Sequence, residues 1–180
     1  GESGTYYAFG SVLAQYVSNN TDIKITAVVG NGSQANVEDL DSGAVQLGFC
    51  QSDVMSYAYS GTNLFAESGA VDSFSVAAAL YMEQVQIVTT NPDIKTVEDL
   101  KGKTVSIGAL GSGVYFNAVD VLGVYGIDAE KDITPVYQSF GDSAESLKDG
   151  KIDAAFCVSG APTTALVDLA ATAGKPLNII

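Results

Sequence analysis

The residues of this 180-residue chain that could do chemistry are hydroxyls, amides and carboxylates set beside glycine. Ser3-Gly4-Thr5, Ser33 behind Gly30-Asn31-Gly32, Gly111-Ser112-Gly113 and Gly160-Ala161-Pro162-Thr163 each lie where a strand-like run passes into a helix-like run. A helix N-terminus carries free N–H groups and the positive end of the helix dipole, so it welcomes an anion. Glycine lets a ligand approach the backbone closely. Capping is the ordinary explanation of any one such residue. Four of them facing one cleft make the capture of a small polar or anionic molecule the better reading. Gln51-Ser52-Asp53 follows another short apolar run, at the strand end where open α/β sheets present binding groups. Gln51 can bind a polar ligand through its amide or serve as a helix-cap neighbour, and both readings stand. Asp53 reads as a first-turn helix acid.

Other chemistry is disfavoured by what the chain lacks. It has no His, the commonest general base, and neither Cys has a His partner. No metal-ligand cluster of His and Cys and no catalytic pair of carboxylates stands out, so no enzyme activity, metal or cofactor is expected. The glycine-rich turns match neither the phosphate-loop nor the dinucleotide-binding spacing. All eight basic residues are Lys, so a bidentate guanidinium cannot hold an acid here. With 21 acidic residues and a net charge of −13, the surface repels phosphate backbones, and no nucleic-acid partner is expected. Cys50 and Cys157 occupy equivalent places in a repeat described below. A disulfide and a pair of buried, inert thiols are both open, with thiols favoured because a bridge would lock a cleft that must open. Tyr6-Tyr7 and Tyr81 are aromatic candidates for the cleft, although such rings are more often core.

The elements that must position these groups recur at a spacing of about 108 residues. Gly4-Thr5-Tyr6-Tyr7 matches Gly113-Val114-Tyr115-Phe116, Ile25 to Val28 matches Ile133 to Val136, and Leu40 to Ser52 matches Leu147 to Ser159. The ordered set predicts an α/β protein of two similar lobes with mostly parallel sheets, residues 1–85 and 86–180, enclosing a ligand at their cleft. Apolar spacing predicts helices over 4–19, 34–42, 52–59, 114–125, 143–148 and 164–173, with a short helix capped by Thr96. Alternation and β-branching predict strands over 23–29, 45–50, 75–81, 85–90, 104–108, 133–137, 152–158 and 177–180. Hydrophobic content of 47% indicates a packed globular protein, and no apolar run is long enough to span a membrane. The chain opens at Gly1 without a signal peptide and reads as a trimmed piece, because the partner of strand 104–108 would precede residue 1.

With these residues in view the chain resembles the TAXI family, the solute receptors of one class of TRAP transporters. The resemblance rests on Gly4 to Tyr7, Gly43 to Asp53, Ile94 to Gly108, Gly111-Ser112-Gly113, Leu147 to Phe156 and Ser159 to Thr163. It implies the type II periplasmic binding protein fold, a hinge, and a small solute held between lobes and delivered to a TRAP-type membrane permease. It implies a glutamate- or glutamine-like amino acid or other small carboxylate as the solute, a periplasmic or extracytoplasmic location, and a monomer. Carried over by position, the contacts implied are Gly4, Thr5, Tyr6, Ser33, Gln51, Ser52, Gly111, Ser112, Gly113, Gly160, Ala161, Pro162 and Thr163. Against the family pattern, the first strand and the C-terminal portion that returns to lobe one are missing. A ligand-sensing domain on the same fold is the alternative.

Overall fold

The computed structural model describes residues 1–180. Three helices come first: α1 (Thr5–Asn20), α2 (Ser33–Asp41) and α3 (Ser52–Ser60). Strand β1 (Gln84–Thr89) then opens an alternating run of β2 (Thr104–Ser106), α4 (Val114–Val124), β3 (Thr134–Val136), α5 (Phe140–Lys148), β4 (Ala154–Ser159), α6 (Thr164–Thr172) and β5 (Asn178–Ile179). All six predicted helices are present. The short 3-10 turn Val97–Leu100 begins where Thr96 predicts, because the Asp99 carboxylate accepts from the backbone N–H of Lys95 and Thr96 and from the Thr96 hydroxyl. Helix α5 starts three residues earlier than the apolar spacing predicts. There the Ser139 hydroxyl accepts from the Asp142 N–H at 3.2 Å, closing the N-terminal turn.

The five strands form one sheet in the order β3-β2-β4-β1-β5. Strand β2 runs parallel to β3 and β4, whereas β1 runs antiparallel to β4 and β5. The sheet is therefore mixed rather than mostly parallel. Crossover helices impose parallel pairing on β2, β3 and β4, but β1 enters from the N-terminal half with no crossover to fix its sense. Strand β4 lies at the centre and is buried at all six positions, which explains its unbroken run Ala-Ala-Phe-Cys-Val. Its side chains alternate between two cores. Phe156 and Val158 join Ile87, Val105, Ile107 and Leu122 on the α4 face. Ala155 joins Val88, Leu147, Ala165 and Leu169 on the face covered by α5 and α6.

The N-terminal half departs from the expectation of a second, similar sheet. Residues 23–29, 45–50 and 75–81 belong to no strand, and none of the backbone groups of 23–29, 46–50 or 75–81 pairs with another main-chain group. Ile23, Val28, Leu47 and Val76 are each more than 60% exposed, so these runs have strand composition without a ladder or a covered face. Strand propensity describes fit to a pleated, half-buried surface, and a strand exists only once a partner supplies the hydrogen bonds. The stripe expected to bury α1 is largely open: Phe9, Leu13 and Tyr16 are exposed and only Ala14 is buried. Helices α2 and α3 pack as a small cluster of Val37, Val54, Ala58 and Phe65, closed by Phe116 from α4. The repeat thus survives in the order of elements, with α2 and α3 answering α5 and α6, but not in sheet formation. No helix is long and apolar enough to cross a membrane.

This asymmetry predicts unequal sensitivity to truncation. Phe156→Ala, at a residue 1% exposed, should destabilise the fold by about 3–5 kcal/mol, whereas Leu47→Ala should change stability by about 0.5 kcal/mol or less, both read from denaturant unfolding.

Candidate functional site

The N-terminal helices meet the sheet through residues drawn from both copies of the repeat. Gly4 is the residue before α1, and the N–H of Thr5 donates to the Ser159 hydroxyl at 3.3 Å. The Thr5 hydroxyl lies 2.8 Å from that same oxygen and donates to the Gly160 carbonyl at 3.2 Å. Gly160 comes so close to α1 that an added Cβ would lie 3.2 Å from the Thr5 methyl. The start of α1 is therefore seated on the end of β4.

At the next residue of α1, the Tyr6 ring stacks on Phe49 with centroids 5.4 Å apart. Its hydroxyl donates to Glu83 Oε2 at 2.9 Å and lies 3.3 Å from Ser33 Oγ. Ser33 is 1% exposed, and its hydroxyl accepts from the Gln51 backbone N–H at 3.0 Å. Ser33 thus ties the start of α2 to the start of α3. The Gln51 amide crosses to α4, where it donates to Asn117 Oδ1 at 2.7 Å. Asn117 in turn donates to Asp53 Oδ2 at 3.0 Å. Gly113 lies directly under the Gln51 amide, so a side chain there would displace it. Gly32, at φ +125°, packs equally closely on Ser112, where any Cβ would collide with the Ser112 backbone. The Gly111 carbonyl accepts from the Ala35 N–H at 3.1 Å.

Thr5, Tyr6, Ser33, Gln51, Ser112, Gly113 and Gly160 therefore converge on one contact zone. Ser112 is 7% exposed, and its hydroxyl has no protein partner at the entrance of α4. Gly111 meets α2 through its carbonyl. The remaining expected residues are placed differently. Ser52 is exposed, as are Ala161 and Pro162, and the Ala161 N–H is held by Gln84 Oε1 at 3.2 Å. Thr163 is buried and turns inward, donating to the Gly160 carbonyl and accepting from the Gln86 amide at 3.4 Å. An open cavity of about 510 Å³ lies alongside, between Asn31 and the loop Tyr137–Ser139. None of the expected residues lines it, although Asn31 and Ala109 border the two glycine turns.

Three residues of the zone lie outside the expected contacts. Ser159 is the repeat equivalent of Ser52 and opens the block Ser159 to Thr163. Asn117 is an amide inside an otherwise apolar helix. Glu83 is the one charged residue between Asp72 and Asp93. Its carboxyl is raised above the ordinary value first by burial, against the Tyr6 hydrogen bond and with a smaller contribution from Asp53. Tyr6 and Tyr81 are likewise raised, first by burial and then by Glu83. Cys50 and Cys157 are free thiols, each pushed up to about 12 chiefly by burial.

Two outcomes follow from these protonation states. Both thiols should resist a thiol reagent at neutral pH in the folded protein and react on denaturation, followed by mass. The folded state holds the Glu83 proton to higher pH than the unfolded state does. Its stability contribution is therefore complete below the ordinary carboxylate range and lost as pH rises through the raised value. Glu83→Gln should accordingly raise stability at neutral pH, and the gain should vanish in acid, measured by denaturant unfolding at both pH values.

The model of the NMT1-like family matches residues 1–180. Among solved structures, an ancestral arginine-binding protein bound to glutamine superposes with a TM-score of 0.62 at 18% identity, covering 96% of this chain and 67% of that one. The alkanesulfonate-binding protein SsuA from Xanthomonas axonopodis pv. citri, bound to MOPS, gives 0.58 at 23% identity, covering 96% of this chain and 54% of that one. Holo ArgBP from T. maritima gives 0.56 at 18% identity, with 95% and 65% covered. The chain spans about half the length of SsuA and about two thirds of the arginine-binding proteins. At these identities the likeness shows the fold, an α/β architecture of the periplasmic binding protein type, while the family match over the full length shows that the chain belongs to the NMT1-like family.

Proposed function

We propose that the chain is the binding unit of an extracytoplasmic solute receptor, capturing a small polar or anionic solute between residues 1–85 and residues 86–180. The observation that carries this reading is the convergence of both copies of the repeat on one zone, with Thr5 on Ser159 and Gly160, and Gln51 on Gly113 and Asn117. The Ser112 hydroxyl, buried without a protein partner at the head of α4, is the group best suited to receive an acidic end of the solute. Thr5, Ser33, Gln51 and Thr163 are the further hydrogen-bonding groups, and separation of the two units would free Thr5 from Ser159 and Gly160 and the Gln51 amide from Asn117. With no Arg or His in the chain, hydroxyls, amides and helix N-termini take the place of a guanidinium.

The resemblance to TAXI receptors supports a glutamate- or glutamine-like amino acid or another small carboxylate as the solute. It also supports a TRAP-type permease as the membrane partner and action as a monomer. The arginine-binding fold neighbour bound to glutamine is compatible with an amino acid.

Small molecules released by denaturing the purified intact protein and weighed by mass spectrometry should include a stoichiometric amino acid or small carboxylate. Ser112→Ala and Gln51→Ala should each weaken that ligand by roughly 5- to 10-fold in calorimetric titration, the effect of losing one hydrogen bond. Unchanged affinity in both variants would remove these residues from the site.

A further inference from the structure

The stretch 73–92 is apolar or uncharged except at Glu83, and the fold brings that one charge into the contact zone. Glu83 directly precedes β1, whose first residue, Gln84, stands opposite Ser159 in the antiparallel register. This places the carboxylate at the level where Thr5 meets Ser159 and Gly160. One oxygen accepts from Tyr6, and the other accepts no hydrogen bond from the protein.

No cation answers it. The titratable groups that face it are Tyr6 on α1, Cys50 and Asp53 at the head of α3, Tyr81, and Cys157 on β4. All are neutral or acidic. Lys24 is the sole Lys before residue 95, and its ammonium is bound to the Ser18 carbonyl at the surface. The four ion pairs of the chain all lie between residues 101 and 151. A second polar group, the Tyr81 hydroxyl, is buried without a partner and senses the Glu83 charge.

A half-buried carboxylate without a counter-charge costs stability, and a neutral amide could also accept the Tyr6 hydroxyl. The feature that only the acid supplies is attraction for a cation. A metal ion is a poor match, because no cluster of three or more ligating residues exists.

We infer that Glu83 is the subsite for the ammonium group of the captured solute, which is therefore a zwitterion carrying a protonated amine rather than an amine-free acid. This rests on the solute-binding reading and narrows it. The free carboxylate oxygen takes the ammonium, the Tyr6 hydroxyl holds the other oxygen in place, and the acidic end of the solute lies toward Ser112.

The test is calorimetric titration of the intact protein with two matched pairs, L-glutamine against glutaramate and L-glutamate against glutarate, each pair differing by the amine. In the wild type the amine-bearing member should bind roughly tenfold or more tightly, the range for a charge-assisted hydrogen bond. Glu83→Gln should abolish that preference and leave the amine-free acid at its wild-type affinity or above it. Tyr6→Phe, which keeps the carboxylate but removes the hydroxyl that anchors it, should reduce the preference without abolishing it. Amine-free acids binding to within about threefold of their partners, or Glu83→Gln weakening both members alike, would overturn the Glu83 assignment and leave the solute-binding reading standing. No binding of any of the four probes by the wild type would overturn both.

Discussion

The antiparallel pairing of β1 with β4 is the constraint on which the rest of the structure depends. It joins residues some 70 positions apart and runs from Gln84 opposite Ser159 to Val88 opposite Ala155. That register sets Ile87 and Phe156 on one face of the sheet and Val88 and Ala155 on the other, so both cores are fixed by it. It also delivers Glu83 and Tyr81 to the end of β4, where Ser159 and Gly160 receive the head of α1. A slip of one residue would invert the faces of β1 and move the carboxylate out of reach of Tyr6.

Packing is divided unequally along the chain. The sheet-bearing half holds two buried clusters, whereas before residue 84 the buried apolar residues are Ala14, Val37, Val54, Ala58 and Phe65. The N-terminal half is therefore held by specific polar contacts as much as by apolar burial. Thr5 is bonded to Ser159, Gln51 to Asn117, and Ala35 to Gly111. Contacts of this kind exchange readily with water or with a ligand, because a net hydrogen bond is worth only about 0.5–1.5 kcal/mol. Such contacts suit the capture between two bodies proposed above, because each gives way at modest cost.

The polarity of the zone follows from the absence of Arg and His. In the proposed site acid recognition falls to a helix N-terminus and hydroxyls, and the charged side chains present are carboxylates. Glu83 and Asp53 differ in their situation. Asp53 accepts from the Asn117 amide at the contact of α3 with α4, whereas Glu83 accepts from the Tyr6 hydroxyl beside the end of β4, and each keeps one oxygen without a protein partner. The same burial that raises the Glu83 carboxyl raises both thiols, so Cys50 and Cys157 fill space near it as neutral groups.

The sequence by itself determined the helices, the order of the elements, the turns at Gly32 and Gly111–Gly113, and most residues of the zone. Helical periodicity, capping and positive φ are local, and three to eight neighbouring residues are enough to impose them. It determined strand composition too, but not strand formation. Ile23 to Val29 and Ile152 to Val158 look alike as text, yet only the second finds partners on both sides. The sense of β1 lay equally outside local reach, because no crossover helix dictates it. Tertiary structure alone decided that Ala161 and Pro162 face solvent, that Thr163 turns inward, and that Glu83 meets Tyr6 across 77 residues. Pairing, burial and charge environment belong to groups distant in the chain, and their energies exist only once the fold has brought those groups together.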